Sequence, residues 1–458
     1  MKTYIRLGFF SLLTSCMLLS CGQNKKTEAA ETDKYACEHP DQFKSDDEFL
    51  DYIQKAHFNY MWDGAEPTSG LACERIHIDG DYPENDADVI TTGGSGFGIA
   101  GLIVGIEREF ITREEGVKRL HQIADYLKKA DRFHGVWPHW LHGPTGKVKP
   151  FGKKDNGGDL VESAFLMQGL LCVRQYFADG NDTEKELAAK IDTLWREMEW
   201  TWYQNGQDVL YWHWSPEYAW EMNFPLEGYN ECLITYILAA SSPTYPVPAS
   251  AYHNGWARKG AIVSDSVAYD LPLILKHNYA EAYGGPLFWA HYSYIGLDPR
   301  GLSDQYANYW DVNRNQTLIN YLYCVENPKH MKGYSDSCWG LTASYSVNGY
   351  HAHAPMYNDQ GVITPTAALS SYPYTPEESA KALKHFYFNL GDSIWGRYGF
   401  YDAFSEEHNW YPKRYLAIDQ CTITPMIENY RSGLLWRLFM SCPEIQEGLK
   451  KLGFSRNV

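Results

Sequence analysis

The amino-acid sequence predicts an all-α fold, an (α/α)6 toroid of inner and outer helices whose long loops crowd one mouth. Three features point there. Helical periodicity runs through most of the 458 residues. Segments that are apolar on most faces alternate with charged amphipathic ones. Neither a run of β strands nor a fixed-period repeat is visible, which favours a closed ring over a solenoid.

Helix starts are marked by Ser45 with Glu48, Thr112 with Glu115, Thr183 with Glu186, and Thr375-Pro376 with Glu378. In each, a hydroxyl that can cap free backbone N–H groups precedes an acidic residue by three positions. The segments Gly96–Glu109, Asp159–Tyr176, Tyr229–Ala240, Pro286–Leu297, Thr364–Tyr372 and Thr422–Met440 carry few charges and read as helices buried all round. Arg113–Lys129, Glu184–Tyr203, Asn313–Val325 and Pro376–Phe388 read as their outer partners. In the first of these, Val117, Leu120, Ala124 and Leu127 recur at three and four, with Lys118, Arg119, Lys128 and Lys129 on other faces. Six inner–outer pairs would close a ring. The connections 129–158, 204–228 and 326–363 exceed ordinary loop length, which marks them as functional.

At the N-terminus, Lys2 and Arg6 precede an apolar run, Leu7 to Leu19, too short to span a bilayer and proportioned like an export signal. Leu18-Leu19-Ser20-Cys21 matches a bacterial lipobox. Residues 1–20 are therefore expected to be a lipoprotein signal peptide, with Cys21 the lipidated first residue of the mature chain. Residues 21–40 are expected to form a polar tether and 41–458 one catalytic domain. That places the protein in the bacterial cell envelope, lipid-anchored, in the periplasm or at the outer-membrane surface. Its partners would be a membrane, through the anchor, and a glycan.

Lys and Arg number 40 against 57 Asp and Glu, a formal charge of −17, so a basic footprint for nucleic acid is absent. Ten cysteines, none in a C-x-x-C pair, give no support for zinc-ribbon or thioredoxin chemistry, while a few disulfides are open in an envelope compartment. Sixteen Trp, 35 Tyr and 19 Phe are more than a core of this size needs. Flat rings with a polar edge suit sugars.

Gly96-Phe97-Gly98-Ile99-Ala100-Gly101 satisfies G-x-G-x-x-G, but no strand precedes it, and glycines inside an apolar helix permit close packing instead. His134, His139 and His142 fit no familiar zinc spacing. Beside Trp137 and Trp140 they read as sugar-binding groups, and no metal or organic cofactor is expected. Asp79, Asp81, Asp86 and Asp88 lack the spacing of a calcium loop and read as a solvated acidic stretch.

The most informative stretch runs from Lys154 to Phe165. A helix starting at Asp159 puts Asp159 and Glu162 one turn apart on one face, with Asp155 in the loop before it. Crowded carboxylates raise at least one pKa, which keeps a proton donor charged with its proton near neutrality. The same pair also reads as a capping box, and the sequence leaves both readings open. Glu231, downstream of Trp212, Trp214 and Trp220, would face an aromatic, poorly solvated pocket. Asp419 precedes a helix expected to open at Thr422. Either could merely cap its helix. Glycoside cleavage needs one carboxylic acid and one carboxylate across the scissile bond, and this chain offers several candidates. Arg314, Gln316, His351 and His353 could fix hydroxyl groups along the groove.

Three runs carry a resemblance over essentially the whole mature chain: Thr91 to Gly98, His134 to Trp140, and Asp155 to Glu162. Tyr229-Asn230-Glu231 and Ile418-Asp419-Gln420 continue it. Together they resemble the glucoamylase-like bacterial group placed in glycoside hydrolase family 144. The resemblance implies an (α/α)6 barrel, endo-β-1,2-glucanase activity with anomeric inversion, and short sophoro-oligosaccharide products. It also implies that Asp155, Asp159, Glu162, Glu231 and Asp419 line the cleavage site, with Glu231 as general acid and Asp419 as general base. His134, Trp137, His139, Trp140, Trp212, Trp214 and Arg314 would bind substrate. The competing readings are a lipid-anchored glycan-binding protein without catalysis, a toroidal polysaccharide lyase, and an exo-acting glucosidase on the same fold.

Overall fold

In the computed structural model, residues 42–457 are described. The expected export signal, Cys21 and the expected tether lie outside them. The described residues belong to one compact unit, and its centre is built on contacts that only glycine allows. Helix Thr92–Glu107 packs along helix Leu160–Tyr176. A Cβ on Gly96 would fall 2.2 Å from the Phe165 carbonyl oxygen, and one on Gly169 would fall 2.0 Å from that of Gly96. The glycine-rich run is thus an instrument of helix packing, and every residue from Thr92 to Ile106 is buried.

Helix Ala417–Arg431 lies against the 92–107 helix and against Asp46–Trp62, while Leu233–Ser241 lies against the 160–176 helix. Around these sit the amphipathic partners. Arg113–Lys129 and Asp182–Arg196 pack on each other and on the two central helices, and Pro376–Phe388 packs on Pro365–Leu369. Helix Tyr309–Glu326 packs on the turn Leu287–Ala290.

The start signals have mixed outcomes. Ser45 caps through Glu48 N at 3.2 Å, and Thr112 with Glu115 forms a complete capping box. The box near Thr183 lies two residues earlier. Asn181 Oδ1 accepts from Glu184 N, and Glu184 Oε2 from Asn181 N, because Asn is at least as good a cap as Thr. Thr375 precedes Pro376 without a side-chain cap, its hydroxyl turning back to the Ser371 carbonyl.

Two expected inner helices differ. Pro286–Leu297 is a pair of 3-10 turns, Leu287–Ala290 and Tyr292–Tyr294, because neighbours claim its polar groups. Phe288 N donates to Thr342 Oγ1, Gly296 N to Gln168 Oε1, and Ser293 Oγ accepts from Ile234 N. The segment expected at Thr422–Met440 begins five residues earlier, at Ala417. It breaks at Gly433, whose φ of 66° starts a separate helix, Leu434–Met440.

Short antiparallel strands pin the long connections. Val89–Thr91, Trp140–His142 and Lys147–Lys149 form a three-stranded sheet, Gly158–Asp159 pairs with His213–Trp214, and Ala343–Ser346 pairs with Gly349–Ala352. The described cysteines, from Cys73 to Cys442, are free thiols.

The central contact yields a direct prediction. Gly169→Ala should lower stability by about 1–3 kcal/mol through overpacking, read as a lower urea midpoint at unchanged slope.

Candidate active site

The two-residue pairing of Gly158–Asp159 with His213–Trp214 sets the first half of the site by putting His213 opposite Asp159. Asp159 is fully buried and is the N-cap of the 160–176 helix. Its Oδ1 accepts from Val161 N at 3.1 Å and Glu162 N at 2.9 Å. Its Oδ2 faces two histidines, His139 Nδ1 at 3.0 Å and His213 Nε2 at 3.6 Å. Asp155 Oδ2 lies 3.3 Å from the same His213 nitrogen, and Asp155 Oδ1 is buried with no donor. Both sequence readings of this stretch therefore hold in part. Asp159 caps the helix, but Glu162 does not close the box. Its Oε2 instead accepts from Gly93 N at 2.8 Å, where any Cβ would stand 2.2 Å from that oxygen.

Charge sets the protonation of this group. Burial opposes charge on His139, yet the carboxylates of Glu162, Asp159 and Asp155 outweigh it and push the imidazole up to about 10. Burial also acts against ionised Asp159, but His139 and His213 hold its pKa below the usual value. Glu162 receives less compensation. Burial, with Asp159 and Glu74 nearby, pushes it up to about 8.

Glu231 forms the second part. It stands just before helix Leu233–Ser241, where its carbonyl accepts from Ser293 Oγ at 2.5 Å. Its side chain lines a cavity of about 530 Å³ walled by Trp212, Phe224, Phe288, Trp289, Tyr279 and Tyr357, with Arg258 and Asn278 at the polar edge. Burial pushes its carboxyl up to about 7.

Asp419 forms the third. It lies in the first turn of the 417–431 helix, not ahead of a helix opening at Thr422. Tyr292 OH donates to its Oδ1 at 3.3 Å, and Thr366 Oγ1 donates to its carbonyl. Burial and the Asp402 carboxyl beside it push Asp419 well above the carboxylate range, while burial takes Asp402 up to about 6. Tyr292 connects the parts, since the same phenol is raised by burial and by the charges of Asp419, Glu162 and Glu231.

The other expected binding residues divide. Trp212 walls the cavity and lies parallel to His213. His139 reaches Asp159 and is covered by Phe151, stacked 4.1 Å away. Trp140 lies under Arg75 and beside Phe151. His134 turns away from the carboxylates to Glu199 at 3.0 Å. It stacks on Trp202 at 3.6 Å and meets Trp214 edge-on, so His134 and Trp214 belong to an aromatic cluster with Trp202 and Trp220. His142 bonds Thr145.

Two expectations need correction. Trp137 is 0% exposed and its indole donates to the Leu127 carbonyl, so it is a core residue behind the site. Arg314 is exposed, because its helix turns Asn313 and Gln316 inward to Tyr229 and Asn315 to the Pro272 carbonyl, which leaves Arg314 on the solvent side. Gln316 is buried and spends its amide on Gly285 and Pro286 carbonyls, and His353 is buried beside His351.

Sequence reasoning missed His213, Glu74, Tyr292, Trp289 and Asp402. His213 had a signal in its place between Trp212 and Trp214. Glu74 and Asp402 are single acidic residues in loops and had none. Ligand atoms of His139, Asp155 and Asp159 lie within 4.8 Å of one another, as do those of Cys338, His385 and Glu406. In the first group a metal would have to displace the proton that three carboxylates hold on His139.

Comparison with known proteins shows the family. The family model described as "Putative glucoamylase" matches residues 223–443. The solved endo-β-1,2-glucanase of Chitinophaga pinensis, in complex with sophorotriose and glucose, is 64% identical. The match covers 90% of this chain and 99% of that one, with a TM-score of 0.89. The chain belongs to this glucoamylase-like family of glycoside hydrolases. A curated relative from Parabacteroides distasonis, named as an exo β-1,2-glucooligosaccharide sophorohydrolase acting at the non-reducing end, is 48% identical over 425 residues. The match takes in 89% of this chain and spans 58% of that relative's length. An endo-β-1,2-glucanase of Talaromyces funiculosus, 13% identical with a TM-score of 0.64 and 88% of each chain covered, shares the fold.

The glucoamylase-like site gives a titration to check. Asp159→Asn should move the His139 titration downward from about 10, followed by imidazole NMR. In the parent, stability from this ion pair is complete below the unfolded histidine value and is lost as pH rises through about 10.

Proposed function

We propose that this chain is an endo-acting hydrolase of β-1,2-glucan that releases short sophoro-oligosaccharides with inversion at the anomeric carbon. The supporting observation is the single phenol of Tyr292, which bonds Asp419 and stands in the field of Glu231 and Glu162. It touches Asp419 and feels the charges of Glu231 and Glu162, which come from two other parts of the chain. Glu231, with its proton retained to about pH 7 in an aromatic cavity, is the general acid that protonates the departing glycosidic oxygen. Asp419 takes the proton of the attacking water from the opposite side of the ring, and separated carboxyls with a water between them give inversion.

Asp155, Asp159 and Glu162 hold the sugar and tune the charge, with His139, Trp140 and Trp212 as binding partners. His134 and Trp214 extend the aromatic surface. No cofactor enters this scheme.

The helix pairs support closure as an (α/α)6 toroid, with the 92–107, 160–176, 233–241, 365–369 and 417–431 helices and the 287–294 turns inside. The name of the Parabacteroides distasonis relative favours a second reading, exo release of sophorose units. We further propose that the domain, beginning near residue 41, is carried on a tether from lipidated Cys21 at the periplasmic or outer-membrane surface.

Incubation with linear β-1,2-glucan should generate reducing ends and a spread of oligosaccharide sizes. Sophorose alone from the first minutes would select the exo reading, and no new ends would leave a glycan-binding protein. Glu231→Gln should lower kcat by about 10²–10⁴-fold at little change in melting temperature. In the parent, kcat/KM should fall as pH rises through about 7, where the acid loses its proton.

A further inference from the structure

Asp402 follows the strand Gly399–Phe400 and is held by backbone at its own N–H and at one carboxyl oxygen. Its N–H donates to the Arg414 carbonyl, and its Oδ2 accepts from Tyr345 N at 2.9 Å. The bond to Arg414 ties it to the strand Arg414–Leu416, which leads directly into the helix carrying Asp419, and the two carboxyls stand side by side, near enough to share a proton. Asp402 Oδ1 and Asp419 Oδ2 are both buried and receive no donor from any other described residue, and neither carboxyl has an ion-pair partner among the described cations. Two buried carboxyls this close need one proton between them, since two bare carboxylate oxygens have nothing to donate.

We propose that Asp402 is the positioning residue of the base, a proton partner that makes Asp402 and Asp419 one singly protonated dyad. The inference rests on the reading of Asp419 as base and resolves a difficulty in it, because Asp419 alone, pushed far above the carboxylate range, would be an acid. As a pair the two carry one proton and one negative charge, and their titration belongs to both.

In the cleavage step a water proton passes to Asp419 Oδ1, while the proton on Asp419 passes to Asp402. The hydroxide oxygen bonds to the anomeric carbon as the glycosidic bond breaks, and the departing oxygen takes the proton of Glu231. The dyad ends neutral and Glu231 ends as a carboxylate. One proton returned through solvent from the dyad to Glu231 restores the starting state.

The surroundings keep the dyad from losing its proton. Facing it are Tyr292 from the 292–294 turn, Glu74 ahead of the strand Arg75–His77, and Tyr345 and Tyr350 from the 343–352 hairpin. Glu162 from the 160–176 helix acts on the phenols of Tyr292 and Tyr350. Arg75 pairs with Glu74 and Asp86, and Arg414 with Asp79 and Asp81, so neither guanidinium is paired with the dyad. The inner ring is thus acidic or neutral, and a second negative charge has no counterion there.

Asp402→Asn tests this. The amide can donate to Asp419 and holds it ionised, so Asp419 becomes a weaker base that titrates alone. The acid limb of kcat/KM, set in the parent by the dyad, should move down by about one pH unit or more. kcat should fall about 10- to 100-fold, with KM within about threefold. An acid limb left in place, with a rate loss uniform across pH, would make Asp402 structural and overturn the proposal. Should that variant not fold, infrared titration of the parent against Asp419→Asn decides. The partner left alone should be ionised at neutral pH, removing one protonated-carboxyl band there. A band unchanged by Asp419→Asn would overturn the dyad. A parent that leaves β-1,2-glucan intact while the infrared result stands would defeat the functional reading instead.

Discussion

Buried carboxyl groups outnumber the cations that reach them, and the chemistry of this protein follows from that imbalance. Asp159 lies between His139 and His213, with Asp155 beside His213, and the cluster keeps His139 charged well past neutrality. Glu162, Glu231, Asp402 and Asp419 have no ion pair among the described residues, and each is pushed upward. Desolvation penalises the charged form, so a carboxyl without a cation gives up its proton later than a paired one. The fold places ionised and protonated members of one residue type within a few side chains of each other, which is what acid–base division of labour requires.

Helix geometry holds that arrangement still. The close approach of the 92–107 and 160–176 helices depends on glycine, and the same approach carries Gly93 N to Glu162. Helix packing and the position of a site carboxyl are therefore one constraint. The broken segment 286–297 serves the opposite need. By giving up regular helical bonds it sets Trp289 against the Glu231 cavity and Tyr292 against Asp419.

Much of this was legible in the sequence because it is written in local periodicity. Arg113–Lys129 and Pro376–Phe388 have the bounds their polarity implies, and Asp159 begins its helix as the Asp-x-x-Glu spacing indicates. What depends on tertiary partners was not legible. Nothing local in Pro286–Leu297 announces that Thr342, Gln168 and Ile234 will take its hydrogen-bonding groups. Trp137 and Arg314 were misplaced for related reasons, since a Trp beside histidines reads the same whether it faces a groove or the core, and an Arg among polar helix residues does not declare its side. Asp402 was invisible because its significance is entirely the neighbour it meets. Residue-specific motifs, by contrast, carried the family, and the comparison with Chitinophaga pinensis agrees with them over nine-tenths of the chain.

The most direct measurement is a crystal structure of Glu231→Gln with a β-1,2-linked gluco-oligosaccharide bound across the site. The account requires a glycosidic oxygen within about 3 Å of the residue 231 side chain, with an ordered water on the opposite face of the sugar within reach of Asp419. An oligosaccharide seated wholly in the Trp202–Trp214 aromatic cluster, with no sugar bond between residue 231 and Asp419, would contradict it.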